Sequence, residues 1–233
     1  MDKKQQTILA VGGHVGDMEL TAGALLATQS LRGDKIVTLA MTAGEKGAPS
    51  GQSDKEYRIQ KLDEAKKFAD MLGGQSFVLD YPDGELPDND EARMLVCDII
   101  REVRPDVMIT HFQNSMHKDH SNTHKIAVDA RFYAGNPFFE RKLPAFSVPK
   151  LYFAENWEDS VGFHPFIYVD VTEGFELWKK AVSTHWFVTG STSFPYLEYY
   201  EHLSRLRGIE MRRERAECFT VEEDQLRVFK ESL

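Results

Sequence analysis

The stretch TILAVGGHVGDMEL, residues 7–20, decides the fold. An apolar run too short for a helix ends in glycine and His14, and helical spacing follows at once through Leu20, Ala24, Ala27 and Leu31, with Gly33 where a helix stop belongs. A buried strand that feeds straight into a helix is the first half of a parallel βαβ unit. The alternation recurs outward from it. KIVTLAMT (35–42) reads as a second strand, and AGEKGAPSGQSDKE (43–56) as a mobile loop over the strand ends. A second helix shows Leu62, Ala65, Ala69 and Leu72 on one face, SFVLDY (76–81) is strand three, and Ala92, Leu95, Val96, Ile99 and Val103 form the stripe of a third helix. DVMITHF (106–112) is strand four.

Beyond residue 112 the pattern loosens. KLYFAE (150–155) and FIYVDV (166–171) read as two more strands, and residues 172–186 and 196–215 as helical. The expected fold is α/β: a Rossmann-like parallel sheet of about five strands in the order 3-2-1-4-5, flanked by helices, with a small C-terminal β/α extension. Residues 1–233 are read as one domain, which 42% apolar residues can supply with a core.

With 28 basic against 37 acidic residues the formal charge is -9, and no basic stripe interrupts it, so nucleic acid is not expected as a partner. Cys97 and Cys218 stand far apart without metal-type spacing and read as ordinary thiols, as suits a reducing cytoplasm. The opening MDKKQQTILAVGG is too short in its apolar part for a signal-peptide core, and no stretch is long enough to span a bilayer.

The residues that carry chemistry fall at strand ends. In open parallel sheets ligands bind beyond the carboxyl ends of the strands where the strand order reverses, here between strands one and four. His14 and Asp17 leave strand one, and HFQNSMHKDHSNTH (111–124) leaves strand four with His111, His117, His120 and His124. A catalytic zinc wants N or O ligands from three side chains and one open position. His14, Asp17 and His120 supply such a set. Asp119 can orient a neighbouring imidazole, His117 can stay off the metal and face substrate, and His124 reads as a solvated helix residue rather than a fourth ligand.

At these residues the sequence resembles the PIG-L/LmbE-like family of zinc-dependent N-deacetylases, which includes the bacillithiol- and mycothiol-pathway deacetylases. Family members open with HPDDE or HADDVE and later carry HPDH; here these read HVGDME (14–19) and HKDH (117–120). The likeness continues through LTAGALLA, MTAGEKGAP, EAKKFADMLGG, LDYPDGEL and RAECF (215–219), and so covers nearly the whole chain. It implies one Zn2+ per chain held by His14, Asp17 and His120. His117 would stabilise the oxyanion or protonate the leaving amine, and Asp119 would orient or tune a histidine. It also implies a small N-acetylated sugar conjugate as substrate and a homo-oligomer. Asp83 stands where the family's PD lies near substrate, and Lys61 where members have a substrate-contacting arginine, which weakens a bidentate hold on an anion.

Gly16 is the departure that matters, because it replaces the first aspartate of DD, the family's general base. As a substrate-facing position it opens two other readings besides deacetylation. One is a metal-dependent hydratase or lyase acting on a small unsaturated keto acid, as the divergent oxalomesaconate hydratase does with a small residue at the same place. The other is a non-catalytic zinc-bound sugar-binding protein. Asp119 and Glu19 are the candidates to replace the base, although Glu19 reads more simply as a first-turn helix acid. The aromatic stretches YFAENWED and HWFVTGSTSFPYLEYY are read mainly as core, with Trp157, Glu158 and Asp159 as a possible sugar contact.

Overall fold

The computed structural model describes residues 4–222. Strand β1 (Thr7–His14) runs into two short helices, α1 (Asp17–Thr21) and α2 (Gly23–Leu31), followed by β2 (Lys35–Thr42), α3 (Asp54–Met71) and β3 (Gln75–Tyr81). Next come α4 (Asp90–Val103), β4 (Val107–Thr110), α5 (Lys118–Gly135), β5 (Lys150–Ala154) and β6 (Ile167–Asp170). The remaining elements are α6 (Phe175–Val182), α7 (Trp186–Thr189), α8 (Tyr196–Glu210) and β7 (Ala216–Thr220).

All the strands join one mixed sheet in the order β3-β2-β1-β4-β5-β7-β6. The expected parallel order 3-2-1-4-5 is present, pair by pair. The C-terminal strands extend that same sheet, so the count is seven rather than about five, and β7 lies antiparallel to both β5 and β6. RAECF, noticed only as a family phrase, is most of this inserted strand.

Both faces of β1 are covered, which is why its sequence is continuously apolar. Ile8 and Ala10 pack on one side with α2, Phe68 and Trp178; Leu9 and Val11 pack on the other with Val96 and Ile100 of α4 and Ile126 and Ala130 of α5. The helix expected from Leu20 to Leu31 is broken at Ala22, whose φ of -130° and ψ of 6° are not helical. The break exposes the N–H groups of Ala24 and Leu25, and the Glu217 carboxylate of β7 accepts both, at 3.0 and 2.7 Å. Leu62 and Leu95, expected as core, are exposed at 39% each. On α3 the buried face instead includes Lys61 and Glu64, because that face turns toward the cavity described next.

Candidate metal centre

Register alone brings the two histidine-bearing segments together. Val11 of β1 is paired with Thr110 of β4, so His14 and His111 leave the sheet at the same edge within a few residues of that pair. The Gly13 N–H donates to His111 Nε2 at 3.0 Å and ties the two strand ends. Helix α5 then begins with His117 as its N-cap, which sets Asp119 and His120 in its buried first turn.

His14 Nδ1 lies 3.2 Å from Asp17 Oδ2, His120 Nε2 lies 3.3 Å from the same oxygen, and the two imidazole nitrogens are 3.3 Å apart. For tetrahedral zinc with N and O bonds of about 2.0–2.1 Å, the edge between two ligand atoms is about 3.3–3.4 Å. The donor atoms of His14, Asp17 and His120 therefore fit one such ion. His117 stands beside them: its ring centroid is 4.6 Å from that of His14 and 4.9 Å from that of His120.

Each ligand candidate is held from behind. His14 Nε2 lies 3.1 Å from Asp83 Oδ1 and 3.4 Å from Asp119 Oδ2. Asp159, fully buried, reaches His111 Nδ1 at 2.9 Å and His120 Nδ1 at 3.2 Å. Carboxylates behind imidazoles are the usual support of a metal site, because they fix the tautomer and raise the basicity of the ligand. Burial pulls the His120 imidazole down, but Asp17 and Asp159 outweigh it and push it up to about 9. Burial likewise opposes a rise at His14, where Asp17, Asp119 and Asp83 prevail. Burial would raise the Asp17 carboxyl, yet His120 and His14 hold it well below the usual carboxylate range. The cluster is built to receive positive charge, whether protons or a divalent cation.

His117 behaves differently. Its Nδ1 accepts the Asp119 N–H at 3.2 Å, which leaves the proton of the neutral ring on Nε2, and burial together with His14 and His120 pushes its basicity down. Asp119 is fully buried, with its Oδ2 accepting the Gly84 N–H at 2.7 Å and its Oδ1 the Leu86 N–H at 3.3 Å. Asp83 accepts the Lys46 N–H through its other oxygen, and its own N–H donates to Glu45 Oε1. The first turn of the loop expected to be mobile is thus fastened to the Asp83 segment. His124 is half-buried: its Nδ1 lies 2.9 Å from the His111 carbonyl and its ring packs on Phe153.

A cavity of about 430 Å³ opens over the cluster, with Lys61, His117, Trp157, Glu158, Phe187 and Tyr196 in its walls. Lys61 Nζ, 3% exposed as a residue, donates to the Val15 carbonyl at 2.6 Å and sits 4.2 Å from the centre of the Phe187 ring. Burial pushes its basicity down. Gly16 has a φ of +109°, a left-handed conformation, and a Cβ there would run into Cε1 and Cζ of Phe187. Its N–H donates to Glu19 Oε2 at 3.0 Å. Glu19 is therefore committed to the helix start and Asp119 to His14 and two backbone amides, so neither stands free to replace an acid at position 16. Of the aromatic loop, Trp157 and Glu158 face the cavity, whereas Asp159 turns inward to the histidines and is not a sugar contact. Sequence reading passed over His111 and Asp159 as members of the site. The signal for His111 was its place directly after a buried strand end; for Asp159 there was none.

A sheet in this order, ending in a histidine–aspartate cluster under a cavity, is the architecture of an α/β protein with a metal-capable strand-end site. The PIG-L family model, GlcNAc-PI de-N-acetylase, matches residues 9–131, more than half of the chain, and the chain belongs to that family. It is 29% identical over 192 residues to the diacetylchitobiose deacetylase of Thermococcus kodakarensis, covering 76% of this chain and 68% of that protein. It is 30% identical over 181 residues to a 1D-myo-inositol 2-acetamido-2-deoxy-α-D-glucopyranoside deacetylase of Thermomonospora curvata, covering 65% of this chain but only 61% of that one. In fold it is similar to the crystal structure of GalB, the 4-carboxy-2-hydroxymuconate hydratase of Pseudomonas putida KT2440, with a TM-score of 0.86 over 98% of this chain and 100% of that one at 18% identity.

Proposed function

We propose that the chain is a zinc-dependent N-deacetylase that releases acetate from an N-acetylated sugar or sugar conjugate. The observation that carries this reading is the spacing of His14 Nδ1, Asp17 Oδ2 and His120 Nε2, which matches the edges of a zinc tetrahedron beneath a cavity of ligand size. In this reading these residues hold one Zn2+ per chain. A zinc ion so held would polarise the acetyl carbonyl and lower the pKa of water toward about 7.

The side chains around it take the remaining roles. His117, whose neutral ring carries its proton on Nε2, donates a hydrogen bond to the developing oxyanion, while the departing amine takes up the proton that the attacking water gives up. Asp119 and Asp83 orient His14, and Asp83 also borders the substrate space. Lys61 meets the substrate from the cavity wall, whereas Gly16, expected to face it, is covered by the Phe187 ring. We further propose one domain working in the cytoplasm as a homo-oligomer, with a small molecule as substrate. Among the described residues no helix is long and apolar enough to cross a membrane.

The test is release of free amine from N-acetylglucosamine conjugates, N,N′-diacetylchitobiose included, by the zinc-loaded protein beside a His14→Ala control. Amine above the control supports the reading; none across the panel overturns it for those substrates. A second reading, hydration of a small unsaturated keto acid, is favoured by one observation: no carboxylate projects from position 16, and the space it would need is filled by Phe187. Ultraviolet absorbance of such keto acids decides it, since an unchanged trace excludes hydration of the compounds tried.

A further inference from the structure

We propose that Phe187 is the specificity-determining residue of the cavity, setting a size limit on the acyl group held beside the metal-binding triad so that acetyl enters and longer chains are turned away. This rests on the deacetylase reading, but its physical content is the seat of one ring. Gly16 lies in the chain between His14 and Asp17, which line the cavity with Phe187, and the volume above its Cα is where a side chain at that position would stand. Cε1 and Cζ of Phe187 occupy that volume, close enough that even a methyl group at position 16 has no room. The ring belongs to the cavity wall.

The ring cannot give way easily, because Trp186 before it and the turn of α7 around it are held. His185 is fully buried with Nδ1 3.7 Å from Glu64 Oε2. Glu64 Oε1 accepts the Trp186 N–H at 3.0 Å and the Gln60 amide at 2.7 Å. The turn of α7 closes with the Gly190 N–H on the Trp186 carbonyl at 2.6 Å, and the Trp186 ring meets Tyr57 edge to face at 5.9 Å. Phe187 itself is held by Tyr196, edge to face at 5.1 Å, and by the Lys61 ammonium over its face. A rigid apolar edge beside the reacting centre excludes extra methylene groups instead of accommodating them. One methylene in such a pocket is typically worth about 10–200-fold in discrimination.

The experiment measures binding of acetate, propionate and butyrate to the zinc-loaded full chain by calorimetry, for wild type, Phe187→Leu and Phe187→Ala. The wild type should prefer acetate over butyrate by about tenfold or more. Phe187→Ala should erase or reverse that ratio, with Phe187→Leu between; Leu also serves if Ala does not fold. In parallel, kcat/KM is compared for N-acetyl- and N-butyrylglucosamine conjugates, and the Tm cost of Gly16→Ala is measured with and without Phe187→Ala. That cost should shrink once the ring is gone. An acetate-to-butyrate ratio equal in wild type and variant, or no acetate preference in the wild type, overturns the proposal. A shifted carboxylate ratio with no amine released from any conjugate keeps the size limit and removes the deacetylase reading; amine release with an unshifted ratio does the reverse.

Discussion

On the cavity wall that carries His14 and His120, every imidazole nitrogen turned away from the shared centre faces a carboxylate: Asp83 and Asp119 behind His14, Asp159 behind His120. The neighbouring wall has the opposite composition. There Gly16 meets the edge of Phe187, and Lys61 lies over that ring with no carboxylate of the described residues within ion-pair distance. One wall concentrates negative charge behind nitrogen donors and so favours a cation at their meeting point. The other is apolar and carries one buried ammonium, so it would shape what can approach a cation held there. In the proposed reading, binding the ion and selecting the substrate thereby fall to different side chains, although Gly16 lies between His14 and Asp17.

Removing a donor from the first wall should have the largest effect. Asp17→Asn or His120→Ala should leave the purified protein with background metal by elemental analysis and cut activity by at least about a hundredfold; full metal content in either would mean that the two walls do not divide the work this way. Asp159→Asn touches neither ion nor substrate, and should weaken metal affinity about 10–100-fold in a chelator competition while leaving the substrate's KM in metal-saturated protein little changed. Gly16→Asp tests the second wall. The left-handed backbone and the Phe187 contact together should lower stability by about 1–3 kcal/mol in a denaturant titration, with no gain in amine release. A rise in rate without loss of stability would show that the wall yields.

A pH effect outside both walls serves as their control. Burial pushes the Glu217 carboxyl up to about 8 from an ordinary value of 4.5, against the pull of the Leu25 and Ala24 N–H groups. The folded protein then holds a proton that the unfolded chain has released. Its contribution to stability is full below about pH 4.5 and is lost as pH rises toward about 8, with a slope of at most about 1.4 kcal/mol per pH unit. Glu217→Gln should flatten unfolding curves across that window and leave metal affinity alone. A changed metal affinity would join the α2 cap to the first wall.

The parallel half of the sheet was legible because both faces of β1, β2 and β4 are buried, which writes continuous apolar runs into the chain, and because glycines mark where strands give way to loops. His14 and Asp17 stood out for the same reason, because they follow directly on such a run, and His120 stood out through the HKDH phrase at the start of α5. What was hidden depends on contacts without local pattern. Asp159 sits in a loop and joins the cluster only through its distance to two rings, and Phe187 reads as one aromatic among several until the absence of a side chain at Gly16 gives its position meaning. On the α3 stripe Ala65, Ala69 and Leu72 are buried as expected but Leu62 is not, because periodicity counts Lys61 and Glu64 as polar and hence outward, whereas the cavity wall and the Trp186 N–H give them buried places. The split between α1 and α2 was invisible because its cause, Glu217, lies almost two hundred residues further on.

The insertion of β7 between β5 and β6 also orders events in time. While the chain is being synthesised, β5 has no outer neighbour, β6 has nothing to pair with, and the start of α2 keeps two unsatisfied amides until residues 216–220 have left the ribosome. The segment that bears His14 and Asp17 is thus translated early but secured late, by β7. A stalled or clipped product lacking that strand would present an open sheet edge to any passing chain, a hazard for aggregation rather than a smaller working enzyme.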